Sequence, residues 1–192
     1  MKTLGITGGV GSGKTTVCKI LETLGAPVFY SDEVSKSILF SDGIISEIRS
    51  RFGDLVFSNG KLDKNKLSKI VFNDNDKLNQ LNSLLHPKVG MAFEIWKRKQ
   101  DFPFVVKEAA ILFESGSFKS CDFIVNVSCS KLERINRVIK RDNKSLPDVE
   151  AIIARQWSEI KRNEKSDFTI ENETKKLIPQ VLSLFSKLLI LS

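Results

Sequence analysis

The chain has 192 residues, of which 41% are hydrophobic and 28% charged, and this suits one α/β domain with an inserted subdomain and a core of normal size. Its net charge of +7 is compatible with a nucleic-acid partner or a polyphosphate substrate, but the absence of any run of five or six basic residues argues against the first. Three cysteines without metal-ligand spacing predict free thiols in a reducing cytoplasm, and neither a signal peptide nor a membrane-spanning segment is expected.

The first predicted elements are a strand, a glycine-rich loop and a helix. Apolar residues around Leu4 and Ile6 predict the strand, and residues 16–24 predict an amphipathic helix. Between them, residues 8–15 fit the phosphate-loop pattern G-x-x-x-x-G-K-[ST] at every fixed position. Glycines at these positions let successive backbone N–H groups turn towards a phosphate. The segment therefore predicts a nucleoside triphosphate site, and the alternative is a glycine-rich turn that binds nothing.

Within this loop, two side chains have distinct expected roles. Lys14 is expected to reach the β- and γ-phosphates, and the hydroxyl of Thr15 to hold Mg²⁺. The triphosphate would contact the loop and the first turn of the helix, that is Gly9, Val10, Gly11, Ser12, Gly13, Lys14, Thr15 and Thr16.

A second short strand is predicted at residues 28–30, ending at Ser31 and Asp32. Residues just past the carboxyl ends of parallel strands face the ligand crevice of open α/β folds, so Asp32 is placed to meet the phosphate acceptor. Ser31 or Asp32 could equally be only the N-cap of a helix at 33–40. Position alone leaves both interpretations open.

From residue 42 to residue 100 the pattern predicts helices only. Asp63 would cap one helix, Asp74 or Asn75 would start another, and Pro87 would begin a third. By analogy, nucleotide-type kinases use such an excursion to bind the acceptor. His86, the only histidine, precedes that third helix, where a capping or core role is favoured over contact with the substrate.

Two apolar runs, at residues 104–106 and 123–127, predict buried parallel strands. Glu108 and Glu114 follow the first of them, near the expected crevice. Glu114 could assist Mg²⁺, hydrogen-bond the acceptor, or pair with a basic neighbour.

The most basic segment, residues 131–142, predicts a helix with three arginines on one face. Arg134, Arg137 and Arg141 are spaced i, i+3 and i+7. Three guanidinium groups after a strand end suit the clamping of triphosphate oxygens. A solvated basic face is the alternative, although few acidic residues lie nearby to pair with the arginines.

After a break at residues 143–147, a second helix is predicted from Asp148 to residue 165, and together the two would form a lid that keeps water from the γ-phosphate. Residues 167–170 predict a fifth strand, followed by Asn172. The apolar spacing of residues 177–191 predicts a closing helix packed on the core, with a membrane-surface helix as the less favoured alternative.

These segments together resemble a known family. In order and spacing they are similar to the dephospho-CoA kinases, which catalyse the last step of coenzyme A synthesis. The matching positions are residues 5–16, Asp32, Leu85-His86-Pro87, Ile111-Leu112-Phe113-Glu114, Arg137-x-x-x-Arg141-Asp142, Gln156, Arg162 and Asp167-x-x-Ile170-x-Asn172.

The resemblance implies an α/β fold of the three-layer α/β/α P-loop kinase type, with a five-stranded parallel sheet, in which residues 1–192 form one domain. It implies a helical substrate-binding subdomain at 42–101 and a helical lid at 137–165. ATP, with Mg²⁺, would be the phosphate donor, and the ribose 3′-hydroxyl of dephospho-CoA the acceptor.

The resemblance also assigns roles to single residues. Asp32 would be the catalytic base, acting with Lys14 and Arg141. Arg137 and Arg141 would contact the phosphates, and Asn172 would lie near the adenine of ATP. The expected acceptor-binding residues are Asp32, His86, Glu114 and Arg162, and the expected metal ligand is Thr15.

Three positions depart from the family pattern and bear on substrate-side detail. Tyr30 replaces a frequent Asp, Ala110 a usual Pro, and Arg134 a common Gln.

Another nucleotide or small-molecule P-loop kinase is the alternative. A GTPase is disfavoured because residues 143–146 lack the acid of N-K-x-D, and a motor ATPase because no apolar strand ends clearly in Asp. We expect a cytoplasmic monomer or weak homo-oligomer with no nucleic-acid or membrane partner.

Overall fold

The structure is a computed structural model that describes residues 1–191. The chain divides into two compact units. One is formed by Met1–Tyr30 and the chain from Lys97 onward, and the other by Ser31–Trp96. The second unit thus begins before residue 42 and ends before residue 101, the bounds expected for the inserted subdomain.

The helices and strands follow one another as β1 (Lys2–Thr7), α1 (Lys14–Thr23), β2 (Val28–Tyr30), α2 (Ser31–Leu39), α3 (Asp42–Phe52), β3 (Phe57–Ser58), β4 (Lys61–Leu62), α4 (Lys64–Asn73), α5 (Asn75–Lys97), β5 (Phe104–Glu108), β6 (Phe123–Ser128), α6 (Lys131–Asp142), α7 (Leu146–Ala154), α8 (Glu159–Lys165), β7 (Phe168–Glu171) and α9 (Leu177–Leu191).

The first unit is built on a five-stranded parallel sheet in the order β2-β5-β1-β6-β7, which confirms the predicted fold class. Strand β1 is central: Ile6 pairs with Glu108 on one side and with Val125 on the other. Because all five strands run in one direction, their carboxyl ends meet at a single edge. The glycine-rich loop after β1 lies at that edge.

One face of the sheet is covered by α1 and α9. Alternate side chains of the central strands, such as Leu4 and Val125, pack there against Val17 of α1 and Leu184 of α9. The predicted closing helix at the end of the chain is therefore confirmed as a core element, with Val181, Leu184 and Leu188 buried.

The opposite face of the sheet is covered by α8 and by the segment after β5. The side-chain amide of Asn126 in β6 donates hydrogen bonds to Glu159 Oε1 at 2.7 Å and to Asn163 Oδ1 at 2.6 Å, both on α8. Gly5 of β1 leaves room on this face, where a Cβ would lie 2.8 Å from Leu112 and from Cys121. Helices on both faces make the unit a three-layer α/β/α sandwich.

The predicted lid helix from Asp148 to residue 165 is wrong in one respect: two helices, α7 and α8, occupy this range. A new helix starts after Ser158, because the side chain of Ser158 accepts a hydrogen bond from the backbone N–H of Lys161 and caps α8. Asn143, in the left-handed conformation, closes α6, and Ser145 caps α7. A break after α6 is therefore confirmed, but it covers residues 143–145 only, because α7 begins at Leu146 rather than at Asp148.

The second unit has its own apolar core. Residues from α2, α3, the β3–β4 hairpin, α4 and α5 form it, among them Leu39, Ile48, Phe57, Leu67 and Leu84. The side chain of Asp63 accepts from the N–H groups of Asn65 and Lys66, which confirms the predicted N-cap of α4.

Two expectations for this unit are wrong, and so is one of the two interpretations that the sequence left open for Ser31 and Asp32. The region is not helical throughout, because Phe57–Ser58 and Lys61–Leu62 form an antiparallel hairpin. Pro87 does not start a helix, since α5 continues through it from Asn75 to Lys97. Helix α2 begins at Ser31, so Ser31 and Asp32 lie in its first turn rather than at a cap, and Ser31 Oγ has no hydrogen-bond partner among residues 1–191.

The three cysteines, Cys18, Cys121 and Cys129, are free thiols, as predicted. Within residues 1–191, no helix combines the length and the apolar character needed to cross a membrane.

Candidate active site

The loop of residues 8–13 joins the end of β1 to the start of α1, so the strand, loop and helix predicted from the sequence are confirmed. Gly11 and Gly13 have φ angles of 80° and 98°, in the left-handed region that other residues adopt only with strain. Gly13 occupies the N-cap of α1, and within the described chain no side chain caps this helix. Its first N–H groups and its positive dipole end are thus directed at the space beside the loop, where an anion is stabilised.

Two distant segments pack closely against this loop. A Cβ on Gly13 would collide with the side-chain amide of Asn172, and a Cβ on Gly11 would lie 2.6 Å from the carbonyl oxygen of Arg134. The amide of Asn172 also donates to the carbonyl oxygen of Ser12 at 2.8 Å. Glycine is required at both loop positions, for space as well as for backbone conformation.

A cavity of about 470 Å³ opens beside the loop, within the size range of small-ligand sites. Its lining comes from the loop, the start of α1, α6 and the segment after β7, and consists of Gly11, Gly13, Lys14, Thr15, Thr16, Arg137, Arg141 and Asn172. All eight belong to the residues predicted to bind ATP. The other three predicted loop residues, Gly9, Val10 and Ser12, lie outside this lining.

Lys14 is the buried cation of the cavity. Its Nζ donates to the carbonyl oxygen of Gly8 at 3.1 Å and lies 4.0 Å from Oε1 of Glu108 at the end of β5. The loop and a buried carboxylate thus hold the ammonium group beside the space where an anion would bind.

The hydroxyl-bearing residues at the start of α1 fit a bound cation. Thr15 and Thr16 are exposed in the cavity wall. In the part of the chain that the structure describes, no group of three or more His, Cys, Asp or Glu side chains could hold a metal. A threonine hydroxyl is an oxygen ligand of the kind that a hard cation such as Mg²⁺ takes.

Arg137 and Arg141 both line the cavity, each beside an acid on its own helix. Arg137 Nε donates to Glu133 at 2.8 Å, and its Nη2 to the carbonyl oxygen of Asn172 at 2.9 Å. Arg141 donates to both oxygens of Asp142, at 2.7 and 2.9 Å, and these bonds lower the pKa of the Asp142 carboxyl. The expectation that few acids pair with these arginines is therefore wrong.

Arg134 is separated from the other two arginines and does not clamp this cavity. It is 4% exposed, and its Nε donates to the carbonyl oxygen of Cys129 at 3.2 Å. Its guanidinium lies against the α-carbon of Gly9, and its Nη1 has no hydrogen-bond partner among the described residues. Burial lowers the pKa of this guanidinium. The structure thus makes Arg134 a support beneath the loop.

Glu114 and Arg162, both expected to bind the acceptor, contact the same short segment. Glu114 Oε1 accepts from the backbone N–H of Trp157 at 2.7 Å, and its buried Oε2 has no hydrogen-bond partner within residues 1–191. Arg162, 1% exposed, donates to the carbonyl oxygen of Trp157 and, at 2.7 Å, to Glu159. Neither side chain lines the cavity, and their role in acceptor binding stays a prediction.

Gln156 contacts the loop, a role that the sequence does not predict. Its Oε1 accepts from the backbone N–H of Val10 at 2.8 Å, and its Nε2 donates to the carbonyl oxygen of Ala110 at 3.0 Å. A glutamine in the break between two helices, with both a donor and an acceptor, is the only sequence signal for such a bridge.

Asp32 and His86 belong to the unit Ser31–Trp96. Asp32, partly exposed, lies in the first turn of α2, two residues beyond the end of β2. His86 lies in the middle of α5, so the expected position at a helix start is wrong; its side chain is half-buried, and burial lowers its pKa below 6.5.

Comparison with known proteins agrees with this geometry. The family model described as dephospho-CoA kinase matches residues 2–177. A dephospho-CoA kinase of Bacteroides fragilis is 39% identical over 186 residues, which is 95% of this chain and 91% of the relative.

Solved structures show the same fold. A crystal structure of a Thermus thermophilus protein superposes with a TM-score of 0.87 and 29% identity, covering 100% of this chain and 98% of the other. A dephospho-CoA kinase from Campylobacter jejuni superposes with a TM-score of 0.68 at 23% identity, covering 97% of both chains. With the family model and a closely similar relative both spanning most of its length, the chain belongs to the dephospho-CoA kinase family.

Proposed function

We propose how the residues of this chain carry out the reaction of its family, the ATP-dependent phosphorylation of the ribose 3′-hydroxyl of dephospho-CoA to give coenzyme A and ADP. The observation that carries the proposal is the cavity beside the loop, in which Lys14, Arg137 and Arg141 line one space with the start of α1. Three cations and a helix N-terminus match the charge of a triphosphate.

In this proposal, the chain stabilises the transferring phosphoryl group by charge. Lys14 contacts the β- and γ-phosphates, while Arg137 and Arg141 bind phosphate oxygens from α6. Asn172, held against the loop through Ser12, lies near the adenine. Electrostatic stabilisation is the main requirement of phosphoryl transfer, since most of the catalytic effect comes from charge and positioning.

Asp32 is proposed as the catalytic base. Asp32 lies two residues after Tyr30, the last residue of β2. Tyr30 in turn pairs in register with Glu108 at the end of β5. A carboxylate at this point accepts the proton of the 3′-hydroxyl as that oxygen bonds to the γ-phosphorus. The bond from phosphorus to the β,γ-bridging oxygen breaks, and ADP leaves.

Mg²⁺ is proposed to be held by the hydroxyl of Thr15 together with phosphate oxygens. When bound, it would neutralise negative charge on the β- and γ-phosphates. The exposed position of Thr15 in the cavity wall supports this role.

The acceptor is proposed to be bound by residues outside the ATP cavity, namely Asp32, His86, Glu114 and Arg162. The region 42–101 would contribute the acceptor subdomain, and residues 137–165 the lid that excludes water. Oε2 of Glu114, which is buried and has no hydrogen-bond partner among the described residues, supports its part, because such an acceptor atom is suited to a substrate hydroxyl.

The test is a phosphorylation assay with ATP and Mg²⁺ that offers dephospho-CoA beside AMP, CMP, shikimate and gluconate. We expect a 3′-phosphorylated product from dephospho-CoA alone, with the Lys14→Ala protein, purified identically, as the control for contaminating kinases. Preferential phosphorylation of another acceptor would instead support a different P-loop kinase, and no product would contradict the proposal.

Two further expectations accompany the proposal. The enzyme is expected to act in the cytoplasm as a monomer or weak homo-oligomer, which sedimentation would measure. No nucleic-acid partner is expected, so added DNA or RNA should leave ATP turnover unchanged.

A further inference from the structure

The loop of residues 8–13 is held from its outer side as well as through its own backbone. Inside the loop, the N–H of Ser12 donates to the carbonyl oxygen of Gly9 at 3.0 Å. The N–H of Val10 points the other way and donates to Oε1 of Gln156 at 2.8 Å. Val10 and Gln156 lie 146 residues apart in the chain, so this bond depends entirely on the tertiary structure.

A second group supports the same peptide unit. The N–H of Val10 belongs to the peptide between Gly9 and Val10, and the guanidinium of Arg134 packs against the α-carbon of Gly9. One side chain accepts the hydrogen bond of this peptide while another restricts its movement. The peptide is thereby fixed with its N–H bonded to Gln156, which is outside the cavity lining, and the N–H groups at the start of α1 are left to face an anion.

The segment that carries Gln156 is itself firmly anchored. Its amide Nε2 donates to the carbonyl oxygen of Ala110 at 3.0 Å. The next residue, Trp157, donates its N–H to Glu114 and stacks on the ring of Phe113, with centroids 4.9 Å apart and planes at 3°. Gln156 is therefore a short rigid link from the segment after β5 to the loop.

We propose that Gln156 is a positioning residue for ATP: by accepting the N–H of Val10 it preorders the loop of residues 8–13 for the phosphates. This rests on the proposed function of that loop as the ATP site. Without the bond, the Gly9–Val10 peptide loses one of its two restraints, and part of the entropy cost of ordering the loop falls on ATP binding. Gln156 itself is not among the residues that line the cavity.

The test compares the affinity of ATP, measured by calorimetry without any acceptor, across a set of variants. Gln156→Met keeps the length of the side chain and removes both hydrogen bonds. We expect its dissociation constant for ATP to rise about tenfold, the scale of one hydrogen bond. Gln156→Glu keeps an oxygen for Val10 but cannot donate to Ala110, and we expect its ATP affinity to stay within about threefold of the original.

The matched control removes a similar bond at the other end of β1. The carboxylate of Asp122 accepts the backbone N–H of Thr3 at 2.8 Å, the same length as the Val10 bond. Asp122→Leu should lower the melting temperature, as we also expect for Gln156→Met, and leave ATP affinity unchanged. The proposal would be overturned if Gln156→Met bound ATP as tightly as the original protein. It would also be overturned if Asp122→Leu or Gln156→Glu lost as much ATP affinity as Gln156→Met.

Should Gln156→Met not fold, Gln156→Asn, whose shorter amide does not reach Val10, replaces it under the same criteria. Since ATP binding is measured without dephospho-CoA, the result is independent of the acceptor. A protein that binds ATP but phosphorylates no dephospho-CoA would contradict the proposed function and leave the role of Gln156 to be decided by these affinities.

Discussion

The Nζ atom of Lys14 lies 4.0 Å from Oε1 of Glu108, and both side chains are less than one tenth exposed. The first residue of α1 and the last residue of β5 thus place opposite charges together at the carboxyl edge of the sheet. The two opposite charges compensate each other at a place where both side chains are shielded from water.

Replacing Lys14 with Ala should nearly abolish turnover, with kcat lowered by at least about 10²-fold, since it removes a cation from the transferring phosphate. It should also destabilise the fold, because Glu108 loses a buried partner. The double variant Lys14→Ala/Glu108→Gln should regain stability in thermal unfolding but not turnover. Near-normal activity of Lys14→Ala would contradict the proposed contact with the phosphates.

Replacing Asp32 with Asn should lower kcat by about 10²–10⁴-fold while ATP affinity stays nearly constant, as expected for the loss of a general base. The matched control is Glu33→Gln, because Glu33 is the other acid in the first turn of α2 and is exposed. Steady-state kinetics with dephospho-CoA measure both. A change in KM alone would make Asp32 a binding residue.

Replacing Arg141 with Ala should reduce phosphoryl transfer by about 10²-fold or more, since one of the cations lining the cavity is lost. Its side chain is 63% exposed and its ion pair is local, so the melting temperature should hardly change. Lys140→Ala, an exposed cation on the same helix, is the control and should retain activity. A large loss of thermal stability in Arg141→Ala would show a structural role instead.

The imidazole of His86 should titrate below 6.5, because burial disfavours its charged form. As the pH falls below 6.5, the unfolded chain then binds more protons than the folded chain. The contribution of His86 to the free energy of unfolding is therefore fully present above pH 6.5 and decreases as the pH falls further. The single histidine can be followed by NMR, and His86→Gln should show a smaller loss of stability over the same pH range. A measured pKa at or above 6.5 would contradict this prediction.

Local sequence patterns predict the loop and the five strands of the parallel sheet, but not the β3–β4 hairpin. The loop and the five strands were predicted because glycine spacing and apolar runs encode backbone conformation within a few residues. The β3–β4 hairpin was also encoded: Asn59 and Gly60 both have positive φ, at 50° and 75°, as Asn-Gly turns require. The helical spacing on either side of this dipeptide obscured it.

In α5, packing overrides a local rule. Pro87 lacks an N–H and favours a helix start, yet α5 continues through it. Leu85 and Val89, on either side of Pro87, are both buried, so ending the helix there would expose apolar surface. Local propensity gives way because the burial of several side chains exceeds the loss of one hydrogen bond.

By itself, the sequence determined the phosphate loop and the parallel strands, since each depends on residues that are neighbours in the chain. The class of reaction followed from a resemblance carried by segments spread along the whole sequence. Only the tertiary structure decided which side chains meet: Arg137 and Arg141 line the cavity beside the loop, while Arg134 on the same helix supports the loop. Asn172 reaches Ser12 across 160 residues, and Gln156 reaches Val10 across 146. Such contacts arise when strands and helices pack, and no spacing along the chain encodes them.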